Sequence, residues 1–155
     1  MSSAIAFKHF TLYFIIYIVV SLVVYLMTSI SSLGWIIAFF TLLPFYSLCG
    51  ASILSINLKN RNATVKFYKF LLLPIFIFQL TKILSSPASC YGWSQGKSCY
   101  SFIQALLSNE NLNSFSENIA HWEIVESVFP VALVLYIIST AAFLISMRIQ
   151  NFTDK

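Results

Sequence analysis

The chain has 155 residues, of which 59% are hydrophobic and 9% are charged, and its formal net charge is +4. Soluble domains carry roughly 45–50% apolar and about 25% charged residues, so this composition excludes a water-soluble globule and predicts an integral membrane protein. Most of the positive charge falls in one short segment between apolar stretches, so the sequence predicts the lipid bilayer as a partner and no nucleic acid.

Four apolar stretches are long enough, or nearly so, to cross the bilayer, which takes about 20 helical residues for ~30 Å of hydrocarbon. The predicted helices cover about residues 10–30, 33–56, 65–84 and 127–147 of a single membrane domain. The predicted fold class is therefore an all-α integral membrane protein with four transmembrane helices. A long exoplasmic loop, about residues 85–126, is predicted between the third helix and the fourth.

The first two predicted helices are joined by Ser31 and Ser32, which leave room only for a tight turn. Pro44 interrupts the second helix. A proline inside a helix removes a backbone donor and clashes with the carbonyl one turn earlier. The second helix is therefore predicted to be kinked.

Charge determines the predicted orientation. Four basic residues lie between the second and third helices, and four of the five acidic residues lie in the predicted loop: Lys59, Arg61, Lys66 and Lys69 against Glu110, Glu117, Glu123 and Glu126. Basic residues stay on the cytoplasmic side of a membrane. The sequence therefore predicts a multi-pass protein of the bacterial inner membrane, with both termini in the cytoplasm.

The third predicted helix is the weakest. Its uninterrupted apolar part, residues 70–81, would be only about 18 Å long as a helix. Lys82 ends this helix on the outer side, and Glu126 precedes the fourth helix at the same predicted depth. Two alternatives follow: Lys82 pairs with Glu126 and fixes the depth of the short helix, or Lys82 extends to the lipid headgroups.

Two of the three cysteines, Cys90 and Cys99, lie in the predicted exoplasmic loop. Disulfides form in such oxidising compartments, so the pair is predicted to form a structural disulfide that closes a loop of about ten residues. A redox-active pair is the alternative. Cys49, inside the second helix, is predicted to be a buried apolar side chain.

The sequence predicts no catalytic residue, cofactor or metal. The two histidines, His9 and His121, fall on opposite sides of the predicted membrane and cannot bind one metal ion. No predicted helix carries an ionisable group near its centre, which argues against ion or proton coupling. His121 near Ser116 or Ser127 is the one candidate base and nucleophile pair, and an interfacial position for this histidine is the simpler interpretation.

The layout of four helices, cytoplasmic termini and a cysteine-bearing second outer loop resembles the bacterial disulfide-oxidising quinone reductases and the tetraspanins. The reductases need a second cysteine pair in the first outer loop, which here is Ser31-Ser32, and the Cys-Cys-Gly signature of tetraspanins is missing. Neither activity is therefore expected. Immunity proteins against one subgroup of pore-forming colicins are also similar in size, topology and composition, and they recognise toxin helices within the bilayer.

These observations favour a non-catalytic accessory or assembly subunit that binds other membrane proteins, or a larger membrane complex, through its helices. Aromatic residues supply the expected packing surface: Phe39, Phe40, Phe45, Tyr46, Phe67, Tyr68, Phe70, Phe76 and Phe78. Two alternatives remain open. One is a bacteriocin immunity protein, and the other is a thiol–disulfide membrane protein that uses Cys90 and Cys99.

Overall fold

A computed structural model describes residues 2–60, 63–90, 99–108 and 120–150 of the chain. Its elements, in chain order, are β1 (Ser2–Ala6), α1 (Phe7–Thr28), α2 (Ser32–Ile37), a π-helical turn (Ala38–Leu42), α3 (Leu43–Lys59), β2 (Thr64–Tyr68), a 3-10 turn (Lys69–Leu71), α4 (Leu72–Leu84), β3 (Pro87–Ser89), β4 (Tyr100–Ser101), α5 (Phe102–Leu107), α6 (Glu123–Ser146) and β5 (Arg148–Gln150).

Three helical stretches of the described residues are long and apolar enough to cross a membrane. They are Phe7–Thr28, Ser32–Lys59 and Glu123–Ser146, with mean hydropathies of 2.4, 1.9 and 2.5. The predicted membrane protein and three of its four long helices are therefore confirmed. Helix α6 begins at Glu123, four residues before the predicted position.

The second stretch is one continuous helix in which a π-helical turn separates α2 from α3. The backbone N–H of Leu43 donates to the carbonyl of Ala38, five residues back. This wider turn lies directly before Pro44, whose ring would clash with the carbonyl four residues earlier in a regular helix. The predicted distortion at Pro44 therefore takes the form of a π turn.

Helix α4 is shorter than predicted, because it begins at Leu72 rather than near residue 65. Proline is tolerated in the first turn of a helix, and Pro74 occupies that turn here. The preceding residues, Thr64–Tyr68, are β-branched and aromatic and form a strand instead. With 13 residues, α4 is roughly 20 Å long and does not match the ~30 Å of hydrocarbon by itself.

A three-stranded antiparallel sheet lies at one end of the bundle, in the order β1-β2-β5. Strand β2 is central, with Ala6 opposite Thr64 on one side and Arg148 opposite Lys66 on the other. The all-α prediction is wrong in this respect, since short strands cap the helices. We call this the sheet end; it joins the segments before α1, after α3 and after α6.

A second small substructure lies at the opposite end, which we call the disulfide end. Strands β3 and β4 pair in antiparallel fashion, and the disulfide between Cys90 and Cys99 joins the residues next to them. Helix α5 follows β4 directly. Two side chains attach this unit to the first helical hairpin. The Ser31 hydroxyl donates to the Pro87 carbonyl at 2.6 Å, and the Ser86 hydroxyl donates to the Thr28 carbonyl at 3.3 Å. The predicted long loop is thus partly an ordered unit packed on the bundle.

The apolar core between the helices is rich in aromatic rings near the sheet end. Phe10, Phe67 and Phe143 pack against one another, with ring centroids 5.7–6.3 Å apart. Phe7 and Val65 connect this cluster to the sheet and are 1% and 0% exposed. The interior of this half of the bundle is therefore apolar and aromatic, whereas polar groups concentrate further toward the disulfide end.

Candidate functional site

The most unusual residue in the bundle is Lys82, whose side chain is 0% exposed. Its ammonium donates long hydrogen bonds, both 3.4 Å, to the Tyr46 hydroxyl and to Oε1 of Gln79. The nitrogen also lies 4.0 Å from the centroid of the Tyr136 ring and 5.5 Å from that of Tyr25. Contact with aromatic faces stabilises a cation when the site is desolvated. Lys82 lies near the end of α4, as the sequence indicates, but its side chain is buried inside the bundle rather than extended to the lipid headgroups.

Helix geometry explains why Lys82 points inward. Ile75, Gln79 and Lys82 follow the i, i+4, i+7 spacing that places side chains on one face of a helix. Ile75 is 5% exposed, so this face is the buried one. The position of Lys82 two residues before the end of α4 suggested an interfacial side chain, but the helical face decides its environment instead.

Beside this lysine, side chains from α1, α3, α4 and α6 form a closed cycle of hydrogen bonds. The cycle runs Tyr17, Tyr136, Tyr46, Ser21, Gln79 and back to Tyr17. The two tyrosine–tyrosine bonds are both 2.9 Å long, and the amide of Gln79 donates to Ser21 at 2.7 Å. We call these five residues the polar ring.

The direction of every bond in the polar ring follows from counting protons. Tyr17 donates its single hydroxyl proton to Gln79, so it must accept the proton of Tyr136. Tyr136 then accepts from Tyr46, which in turn accepts from Ser21. Lys82, which has no acceptor, donates into the same cycle. All donors therefore point one way around, an arrangement in which neighbouring bonds strengthen one another.

The polar ring connects α1, α3, α4 and α6 within a core that is otherwise mostly apolar. Interhelical hydrogen bonds in membrane proteins average about 0.6 kcal/mol, so five of them sum to roughly 3 kcal/mol. The sequence analysis named Tyr46 as part of an aromatic packing surface and did not identify the ring. The available signal was Tyr17 and Ser21, one turn apart in the apolar middle of α1.

Glu126 has a different partner from the one predicted. Its Oε1 lies 2.9 Å from Nδ1 of His121, and this is the one ion pair found among the described residues. The His121 ring stacks on Tyr100, with centroids 3.9 Å apart. The predicted contact between Lys82 and Glu126 is thus absent, because Lys82 faces the bundle while Glu126 faces the disulfide-end unit.

The other predicted residues divide into three groups. Cys90 and Cys99 form the predicted disulfide, and Cys49 is a free, partly buried thiol. The topology-determining residues Lys59, Lys66 and Lys69 are all exposed near the sheet end. Arg61, Glu110, Glu117 and Ser116 lie outside the described residues.

A lateral groove of 470 Å³ separates α3 from α6 toward the sheet end. Its floor is formed by Phe7, Ile53 and Val65, which are at most 3% exposed. Its edges include Leu48 and Ile145, which are 70% and 84% exposed. The groove is therefore an apolar surface open on the side where a bilayer would lie.

Small residues line the two walls of this groove. Cys49 and Ser52 lie on the α3 side, and Ala141 lies on the α6 side. Small residues at such positions let another helix approach closely, which is how helices associate within membranes. The groove thus has the composition of a helix-packing surface.

No group of three or more metal-binding side chains occurs among residues 2–60, 63–90, 99–108 and 120–150. Comparisons with protein-family models, with curated proteins and with solved structures found no match to this chain. The buried lysine, the polar ring and the groove are therefore the features that can indicate a function.

Proposed function

We propose that this protein is a non-catalytic accessory subunit of a membrane complex that binds a transmembrane helix of another protein. The observation that supports this proposal is the apolar groove between α3 and α6, with small residues on both walls. The part of α3 that lines the groove, residues 45–56, is roughly 17 Å long. This length can contact about three turns of a partner helix.

The proposal predicts that filling the groove removes the partner. Ala141 lines the groove, whereas its neighbour Ala142 is exposed outside it. A photo-crosslinking amino acid at Leu48 should give a discrete cross-linked partner in cells, which mass spectrometry identifies. Ala141→Trp in the same chain should abolish that product, because the indole occupies the space, and Ala142→Trp should leave it intact.

A second photo-crosslinker at Leu80, which is 58% exposed on α4 and outside the groove, controls for random lipid-phase collisions. Equal product patterns from positions 48 and 80 would show that the groove has no specific occupant. Size-exclusion chromatography of both Trp variants establishes that each remains folded.

The same proposal includes a topology of four crossings in the bacterial inner membrane, with both termini in the cytoplasm and residues 85–126 outside. The sheet end supports this topology, since it brings together three segments that two helical hairpins separate. Exposed basic residues also collect there: Lys8, Lys59, Lys66, Lys69 and Arg148. Helix α4 then crosses with the help of its flanking turn and its neighbours.

Labelling with a membrane-impermeant maleimide tests this topology in a Cys49→Ser background. Ala120→Cys should react on intact spheroplasts, because this exposed position precedes α6 at the disulfide end. Asn60→Cys, at the end of α3, should react only after permeabilisation. Reaction of both positions from the same side would remove one crossing and contradict the proposal.

The immunity-protein alternative assigns a toxin helix to the same groove, and the cross-linked product would reveal it. The thiol–disulfide alternative uses Cys90 and Cys99 with a partner protein. Cys49, the free cysteine of the described chain, lies inside α3 and lines the groove. A mixed disulfide trapped with a second protein by Cys99→Ala would support this alternative.

A further inference from the structure

We propose that Lys82 is a proton-binding site that water reaches from the disulfide end of the bundle. This function is separate from helix binding in the groove. It would make the protein responsive to the proton concentration on one side of the membrane. Four observations support it: the hydroxyl groups between the lysine and the disulfide end, the hydrogen bonds that these hydroxyls lack, the surroundings of the ammonium, and the apolar half of the bundle on the other side.

Buried hydroxyl groups extend from the disulfide end toward Lys82. Tyr25 and Ser29 lie one turn apart on α1 and are both 0% exposed. Ser86 and Ser101, also 0% exposed, lie where the disulfide-end unit packs on this helix. The Ser86 hydroxyl bonds to the carbonyl of Thr28, and the Tyr25 ring lies 5.5 Å from the Lys82 nitrogen. Polar side chains thus connect the end of the bundle with the ammonium.

Three of these hydroxyl oxygens make no hydrogen bond of ordinary geometry within the protein: Tyr25 Oη, Ser29 Oγ and Ser101 Oγ. The first two interact with each other, since Ser29 is a side-chain partner of the Tyr25 hydroxyl, whereas Ser101 has no such partner. An unsatisfied buried polar group costs about 1–3 kcal/mol, so such groups nearly always bond to ordered water. We infer that water enters at Ser101 and reaches the Ser29 and Tyr25 pair beside the lysine.

The surroundings of Lys82 contain no carboxylate among the described residues. The titratable groups that face it are Tyr25 from α1, Tyr46 from α3 and Tyr136 from α6, and its own helix contributes the neutral amide of Gln79. An unpaired charge at this depth is costly, and such residues in membrane helices commonly mark proton pathways. The lysine can lose this charge by transferring a proton to water: R–NH₃⁺ + H₂O gives R–NH₂ + H₃O⁺, with the electron pair left on nitrogen.

The proposed water path ends at Lys82. Below it, the polar ring uses every hydroxyl proton in its own cycle, and Ser21 is only 3% exposed. Beyond the ring, Phe10, Tyr17, Thr140 and Phe143 line a 210 Å³ space whose walls are almost entirely apolar. Such walls offer water few partners, so the proposed path to Lys82 is the one from the disulfide end.

Cysteine accessibility tests the water path with nearly isosteric substitutions in a Cys49→Ser background. Ser29→Cys and Ser101→Cys should react with a small, membrane-impermeant methanethiosulfonate applied from the disulfide side. Ser21→Cys, equally buried but within the polar ring, is the matched control. We expect reaction at positions 29 and 101 to be at least about tenfold faster than at position 21, because the reactive form is the thiolate, which requires water.

A spectroscopic measurement tests the proton site itself on the unmodified protein. In protein labelled with ¹⁵N at the lysine side chains, the Nζ resonance of Lys82, assigned by its loss in Lys82→Met, should shift across a pH titration in which the protein stays folded. Equal reaction rates at positions 29, 101 and 21 would overturn the water path. A Lys82 resonance that does not change with pH would overturn the proton site.

Discussion

Gly34→Ala should destabilise the protein by about 1–3 kcal/mol, the usual cost of forcing extra atoms into a packed site. A Cβ at this position would lie 2.5 Å from Cβ and 2.7 Å from the carbonyl oxygen of Ser29. Ser29 cannot easily move away, because it is 0% exposed and its backbone N–H bonds to the carbonyl of Tyr25 at 2.9 Å. A loss of about 2 kcal/mol lowers Tm by roughly 4–8 °C in a chain of this size.

Gly50→Ala is the matched control for this substitution. Its Cβ would meet Ile15 Cδ1 at 3.5 Å and Ile18 Cδ1 at 3.8 Å, which are ordinary contacts. Gly50 lies inside α3, where alanine is favoured over glycine by about 0.5–1 kcal/mol. Thermal unfolding in detergent should therefore show an unchanged or higher Tm. Equal losses in both variants would contradict the close approach between α1 and α2.

Replacement of both Cys90 and Cys99 by serine should cost about 2.5–3 kcal/mol, because the disulfide closes a loop of about ten residues. The bond also holds β3 against β4. This pair of strands belongs to the disulfide-end unit, which the hydrogen bonds of Ser31 and Ser86 attach to the bundle. Thermal unfolding of the purified protein measures the loss. Dithiothreitol should lower Tm of the wild-type protein to that of the double variant.

Two controls accompany this experiment. Dithiothreitol should leave the double variant unchanged, and Cys49→Ser should have little effect, since this partly buried thiol forms no disulfide. If the reductant fails to change wild-type Tm while free thiols appear, the disulfide does not stabilise the folded state. In that case its role would be redox chemistry.

Hydrophobic length and charge distribution predicted the membrane class and three long helices, because the bilayer imposes these features directly. The same reasoning could not find β1, β2 and β5, since strands of three to five residues carry little periodic signal. It also extended α4 upstream into Thr64–Tyr68, where pairing with two other segments of the chain decides the backbone conformation.

The candidate site was harder to predict than the disulfide, which followed from two cysteines near each other in one loop. The polar ring depends on side chains up to 119 residues apart in sequence, such as Tyr17 and Tyr136. Each of these looks like an ordinary aromatic in an apolar helix when read alone. The environment of Lys82 likewise depends on which face of α4 meets the bundle, and spacing from Gln79 was the one local indication.

The sheet end also constrains the order of assembly during synthesis. β1 leaves the ribosome first, but its partner β2 begins roughly 60 residues later, after an entire helical hairpin, a delay of about 3–12 s at 5–20 residues per second. β5 follows only after α4 and α6. The sheet can therefore close only after both helical hairpins have been synthesised and their ends lie on the same side of the bundle. A chain with one misplaced hairpin would keep unpaired strand edges, which can pair with other chains.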